Sequence, residues 1–144
     1  MSKVWYMRLL ITGSRDWDLY ESVSGRIVEA VIDWIKDHPG LEKGPIDWLT
    51  IVHGNCPRGA DAIADNFATQ VMRVNVERHD ANWASFGKSA GFRRNKLMVN
   101  TNPDICLAFI RNKSKGATSC RDLAKAAGIA TETFLYENEF DIYG

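Results

Sequence analysis

Three short runs constrain this chain most: MRLLIT at residues 7–12, WLTIVH at 48–53 and ICLAFI at 105–110. Each is apolar with almost no polar alternation, and each stops at a glycine or a charged residue. A strand that reads this way is covered on both faces, the signature of a parallel sheet between two helical layers. The stretches between the runs supply the helices. Leu19, Val23, Ile27, Val31, Trp34 and Ile35 recur at helical spacing ahead of His38-Pro39-Gly40. Pro39 cannot continue a helix and Gly40 permits a left-handed exit. The run D-L-Y-E predicts a capping box at the start of this helix, with Asp18 as cap and Glu21 at the third helical position.

Ala60, Ile63, Ala64, Phe67 and Ala68 mark the apolar face of a shorter second helix. Residues 89–100 and 117–127 predict a third and a fourth, the last closed by Gly128. VMRVNVE at 71–77 alternates enough to predict a half-exposed edge strand, and 131–136 predict the final strand. Five strands alternating with four helices give an α/β fold, a doubly wound, mostly parallel five-stranded sheet. Nothing resembling a repeat, a low-complexity tract or a linker interrupts the 144 residues, so one domain over residues 1–144 is expected.

Composition narrows the function classes. Eighteen Lys plus Arg balance eighteen Asp plus Glu, which argues against coating nucleic acid or an acidic membrane by bulk electrostatics. The distribution is uneven. Residues 78–125 hold ten basic and three acidic side chains, and the rest of the chain holds eight and fifteen. Cys56, Cys106 and Cys120 are too few and too scattered for a disulfide scaffold or a zinc site, so reduced thiols and a cytoplasmic location are expected, with no metal. The opening MSKVWYMRLLITGS has a short apolar run with Arg8 inside it, which predicts neither a signal peptide nor a membrane span.

Doubly wound sheets bind ligands beyond the carboxyl ends of their strands. Four chemically rich turns fall there: GSRDW, GNCPRGAD, HDANWASFGKSAG and RNKSKGAT. Gly13 lets a backbone approach a ligand, Ser14 offers a hydroxyl and Arg15 a guanidinium fork; the plain alternative is a turn glycine beside a solvated arginine. Trp17 either stacks on a base or packs the core. Gly54, Arg58 and Gly59 shape a loop whose free amides and cation suit an anion at a helix entrance. Asp61 either serves the helix dipole, accepts from a ribose hydroxyl or holds a basic residue in place. Cys56 beside His53 is a weak nucleophile candidate against a small buried thiol, and His79 with Asp80 is an acid–base candidate. Arg93 and Arg94 project about 100° apart on a helix, so one of them faces the cleft. Gly116 with Thr118 opens the fourth helix, where a hydroxyl either binds phosphate or caps. Neither G-x-G-x-x-G nor G-x-x-x-x-G-K-S/T occurs, and no cofactor is expected.

ITGSRDW, HGNCPRGADAIAD, the stretch W-x-x-F-G-K-S-A-G-F-R-R-N-K-L-M and the late Gly-Ala-Thr loop together resemble the YspA-like members of the SLOG superfamily, over about residues 7–136. That superfamily also holds DprA and the LOG, "lysine decarboxylase-like", phosphoribohydrolases. The resemblance implies a Rossmann-like sheet in the order 3-2-1-4-5 and a nucleotide or nucleotide-derived ligand. Arg94, Asn95 and Met98 resemble the R-K-x-x-M pattern of the phosphoribohydrolases, with Asn95 in place of the Lys. Gly116 and Thr118 resemble their P-G-G-x-G-T-x-x-E loop, but its glutamate is missing here. Asp16, Asp61 and Asp122 are the weak candidates to replace it.

The expected function is binding or sensing of such a small molecule. The alternatives are a nucleotide-processing N-glycosidase and an interaction protein with a vestigial cleft. Direct nucleic-acid binding ranks below these. The resemblance also allows a homo-oligomer, with residues 140–143 covering the contact.

Overall fold

A computed structural model describes residues 5–136. Five strands form one sheet: β1 (Met7–Gly13), β2 (Leu49–His53), β3 (Asn75–Arg78), β4 (Ile105–Arg111) and β5 (Ala130–Tyr136). Their order is β3-β2-β1-β4-β5 and every pairing is parallel. This is the doubly wound, Rossmann-like arrangement expected above, and strand order reverses between β1 and β4.

The unbroken apolar reading of the central strands has a direct cause: side chains alternate between two cores. Met7, Leu9 and Ile11, with Leu49, Ile51, Leu107 and Phe109, pack under α1 (Tyr20–Asp37) and α2 (Ala60–Asn66). Leu10, Val52 and Cys106 face Met98 and Val99 of α4 (Ala90–Asn100) and Cys120 and Ala124 of α5 (Lys115–Ala126) on the other side. Each fully buried Leu, Ile or Phe contributes about 1.5–3 kcal/mol of transfer free energy. A polar residue at any of these positions would have no solvated face to turn to.

Three local expectations differ. No capping box forms: α1 starts after Leu19 without a side-chain cap, because the Asp18 carboxylate instead pairs with Arg111 at 3.3 Å. The edge strand is shorter and later than 71–77. The α2 chain continues through a π-helical turn, Phe67–Met72, which keeps Phe67 and Ala68 on the core, and left-handed Arg73 (φ 56°) then turns it into β3. Finally, a short helix, α3 (Trp83–Phe86), precedes α4, capped by the Asn82 side chain accepting from the Ser85 amide at 3.1 Å.

Two glycines hold the carboxyl ends of the sheet together. A Cβ on Gly13 would collide with Ala60 Cβ and lie 2.8 Å from Phe109 O. Gly59, at φ 83°, lies against the backbone of Ser14 and Arg15, and the Ala60 amide donates to Ser14 O at 3.3 Å. Gly13→Ala should therefore cost about 1–3 kcal/mol through overpacking, seen as a lower urea midpoint at unchanged slope. Gly25→Ala, in open space on α1, should instead gain about 0.5–1 kcal/mol. Equal midpoints for the two variants would contradict this account of the β1–α2 contact.

Candidate functional site

Beyond the ends of β1, β2 and β4 lies a cavity of about 620 Å³. Each crossover supplies part of its wall. The β1–α1 turn gives Thr12, Gly13, Arg15 and Asp16; the β2–α2 loop gives Cys56 and Arg58, with Asp61 from the first turn of α2. Trp83, Lys88, Phe92, Arg94, Asn95 and Met98 come from the α3–α4 region, and 114–117 and Ser119 from the start of α5. Five cations, Arg15, Arg58, Lys88, Arg94 and Lys115, thus face two carboxylates, Asp16 and Asp61. The amino end of α5 adds its positive dipole and unpaired amides. Three of the five cations, Lys88, Arg94 and Lys115, come from the basic segment 78–125.

The α4 side chains act as struts. Arg94 Nη1 donates to Gly54 O at 2.6 Å and its Nε to Asn95 Oδ1 at 2.9 Å. Asn95, 3% exposed, passes the connection on by donating Nδ2 to Gly116 O at 3.2 Å. Gly54 must lack a side chain because the Arg94 guanidinium occupies that space. Arg93, as its angular offset predicts, turns away and lies over Phe86.

Of the residues singled out from sequence, Gly13, Arg15, Asp16, Arg58, Asp61, Arg94, Asn95 and Gly116 line the cavity. Ser14, Gly54 and Gly59 stand behind the lining. The Ser14 hydroxyl accepts from Arg111 N at 2.8 Å and donates to Arg111 O, so protein backbone uses both its functions. Thr118 and Asp122 border a separate hollow with Leu135, and Asp122 accepts from Arg121. His79 pairs with Glu77 and Asp80 with Asn55, both outside the cavity. Trp17 is core, edge-on to Phe109 and Tyr136.

Sequence reasoning passed over Trp83 and Phe92. They are 49% and 51% exposed at the cavity wall. No sequence signal marked them: α3 buries none of its residues, and the buried stripe of α4 is Ala90, Asn95, Met98 and Val99, which only the fold reveals.

Cys56 is poorly suited to nucleophilic work. Burial, reinforced by the Asp61 charge, pushes its thiol up, away from the thiolate. Burial likewise raises Cys120 to about 11. Among the described residues no cluster of three or more His, Cys, Asp or Glu could hold a metal ion.

Asp61 is the unusual group. It is 4% exposed, and Oδ2 accepts from Gly54 N at 3.1 Å and Cys56 N at 3.4 Å. Oδ1 is buried with no hydrogen-bond partner. Burial raises its pKa, opposed by His53, Cys56 and Arg94. A raised pKa means that ionising Asp61 costs stability as pH rises above the unfolded value of 3.8. Asp61→Asn keeps an acceptor for the two amides and abolishes that cost. The melting temperature of the variant minus that of the unaltered protein should therefore grow between pH 4 and pH 8. A difference independent of pH would contradict the assignment of a buried, charge-disfavouring site.

The chain matches the sequence model of the YspA, cpYpsA-related SLOG family over residues 7–86. It is similar to the Gene 61 protein of Mycobacterium phage D29, 39% identical over 131 residues that cover 88% of this chain and 95% of that protein. No solved structure matches it. The matched segment runs from β1 through α3 and contains both glycine-bearing turns and Asp61. On this match and the identity to its phage relative, the chain belongs to the YspA, cpYpsA-related SLOG family.

Proposed function

We propose that this cavity binds or senses a nucleotide or nucleotide-derived small molecule, with residues 1–144 acting as one nucleotide-binding domain. The family and the Rossmann-like sheet support a nucleotide-related binding role in general. The observation that carries the finer reading is the convergence of Arg15, Arg58, Lys88, Arg94 and Lys115 with the amino end of α5 at the strand-order reversal. Cations and a helix terminus facing one concavity favour a compact anion.

Arg58 and Arg15 are exposed, and their side chains make no hydrogen bonds among the described residues. Arg15 lies over the Trp83 ring, 5.8 Å from its centroid, which leaves its N–H groups, like those of Arg58, for a phosphate. Arg94 spends two nitrogens on Gly54 and Asn95, which leaves Nη2 for a second anionic group beside Gly116. Gly13 and Asp16 border that space. Ser14, Gly54, Gly59 and Asn95 set the shape of the loops, and Thr118 supports α5 from its far side. Trp83 and Phe92 offer faces on which a base can stack.

A turnover reading rests on Asp61 and Asp16, the two carboxylates that line the cavity. Asp16 Oδ2 accepts from Asn112 at 3.3 Å and remains exposed, and Asp122 lies in the other hollow. Cleavage of an N-glycosidic bond calls for a carboxylate near the sugar, and α5 offers none to the cavity. The missing carboxylate on α5 is what favours binding without turnover. Incubation with nucleoside monophosphates and ADP-ribose, followed by chromatography, should return them intact. No helix among the described residues is long and apolar enough to cross a membrane, in keeping with the proposed cytoplasmic location. The proposed homo-oligomer contact at residues 140–143 lies outside the described residues.

A thermal-shift panel of nucleoside mono- and diphosphates, dinucleotides, cyclic nucleotides and ADP-ribose tests this directly. At a hundredfold excess over Kd a true ligand stabilises by about 2.7 kcal/mol. Arg15→Ala combined with Arg58→Ala should leave the unliganded melting temperature near its original value. It should weaken the ligand by about 1.5–3 kcal/mol for each charged hydrogen bond lost. A shift that survives both substitutions would overturn the assignment, and no shift with any compound would favour the vestigial cleft.

A further inference from the structure

The orphaned oxygen of Asp61 carries an inference that rests on the nucleotide reading and specifies the ligand further. No neighbouring protein donor bonds Oδ1, although the Cys56 thiol interacts with the Asp61 carboxylate and Arg94 keeps Nη2 uncommitted. The Gly54 and Cys56 amides serve Oδ2, not Oδ1. Arg94 contributes charge, but its Nη1 and Nε serve Gly54 O and Asn95 Oδ1. His53 is fully buried beneath the loop; its Nδ1 accepts from Asn55 N at 2.9 Å, which places the proton on Nε2, donating to Asp65 at 2.7 Å. A buried acceptor left unmatched by protein on a cavity wall is suited to a donor that arrives from the cavity.

The charge of the cavity restricts what that donor can be. Five cations disfavour a cationic ligand, so an ammonium or guanidinium donor is excluded on electrostatic grounds. A phosphate at Asp61 would meet a carboxylate and has no proton to give it at neutral pH. The fitting group is a neutral hydroxyl on a molecule whose anionic part lies elsewhere, towards Arg58 and Lys115. The aromatic pair Trp83 and Phe92 accommodates a flat ring at the same time. A sugar hydroxyl between a phosphate and a base meets all three conditions.

We propose that Asp61 Oδ1 accepts a hydrogen bond from a ribose hydroxyl, so that the site selects ribonucleotides and ribose-bearing nucleotide derivatives over their deoxy counterparts. The carboxylate is a specificity-determining residue in this assignment, with Gly54 N and Cys56 N holding it in place. A site built around such an acceptor discriminates strongly against an analogue lacking the hydroxyl, because the buried group is then left unpaired.

Calorimetric titration tests the proposal with the common ribonucleoside 5′-mono- and diphosphates and ADP-ribose, each beside its 2′-deoxy and 3′-deoxy forms. The unaltered protein should bind at least one ribo form about 10–100-fold more tightly than one of its deoxy forms. In Asp61→Asn the amide oxygen must serve the Gly54 and Cys56 amides, which puts an NH2 donor where Oδ1 was. The discrimination should then fall, because the hydroxyl must accept from an amide instead of donating to a carboxylate, a weaker hydrogen bond. Equal affinities for ribo and deoxy forms in the unaltered protein would overturn this inference and leave the nucleotide reading standing. Discrimination undiminished in a folded Asp61→Asn would also overturn it. Absence of binding by every compound would remove the nucleotide reading and this inference together. The comparison on the unaltered protein decides between ribo and deoxy even if the variant does not fold.

Discussion

The approach of the β1–α1 turn to the start of α2 is the contact on which the rest of the site depends. It requires two residues without side chains. Gly13 admits Ala60 against the end of β1, and Gly59 admits the backbone of Ser14 and Arg15 against the loop. Ser14 locks the arrangement: its amide donates to Phe109 O, its carbonyl accepts from the Trp17 and Ala60 amides, and its hydroxyl joins Arg111. β1, β4 and α2 are thereby fixed relative to one another within a few ångströms of the cavity. Arg15, Arg58 and Asp61 then project from a frame whose position is set by backbone, so their own side chains are not needed to hold it.

On the opposite side the frame is closed by α4. Arg94 and Asn95 run from Gly54 O to Gly116 O and so couple the β2 loop to the start of α5. Those carbonyls are then unavailable to a ligand, whereas the amides at the start of α5 remain. The cavity acquires a consistent polarity: donors and cations around the wall, and one buried acceptor, Asp61. Such asymmetry is expensive in an empty protein, because a buried carboxylate is disfavoured and unpaired cations repel. An anionic ligand that also carries a hydroxyl relieves both terms.

Much of this was legible from sequence, for identifiable reasons. The runs ending at Thr12, His53 and Ile110 could not be anything but doubly covered strands, and helix geometry alone separated Arg94 from Arg93. The sequence order of the motifs placed them at the strand-order reversal once the resemblance supplied 3-2-1-4-5. What escaped depended on competition between partners distant in sequence. Asp18 has a local capping role available, yet Arg111 draws it away. Val71 and Met72 have strand character, but the core contact of Phe67 and Ala68 keeps the chain helical past them. Ser14 and Gly59 read equally well as ligand groups or as spacers, and only the close approach of two loops assigns them to the frame. The aromatic contribution of Trp83 and Phe92 was missed because a Trp and a Phe on helices look like ordinary packing until it is known which residues α3 and α4 bury.

On the proposed function, an anion-bearing ribonucleotide lies between the β1 and β2 turns and the amino end of α5. Backbone amide chemical shifts test it most directly, recorded on the uniformly 15N-labelled protein during titration with ADP-ribose or a ribonucleoside diphosphate. The account predicts saturable shifts concentrated at Gly13, Cys56, Gly116 and Ala117, with the far hollow around Arg121 and Leu135 unmoved. Saturable shifts confined to that far hollow, or none at any ligand concentration, would contradict it.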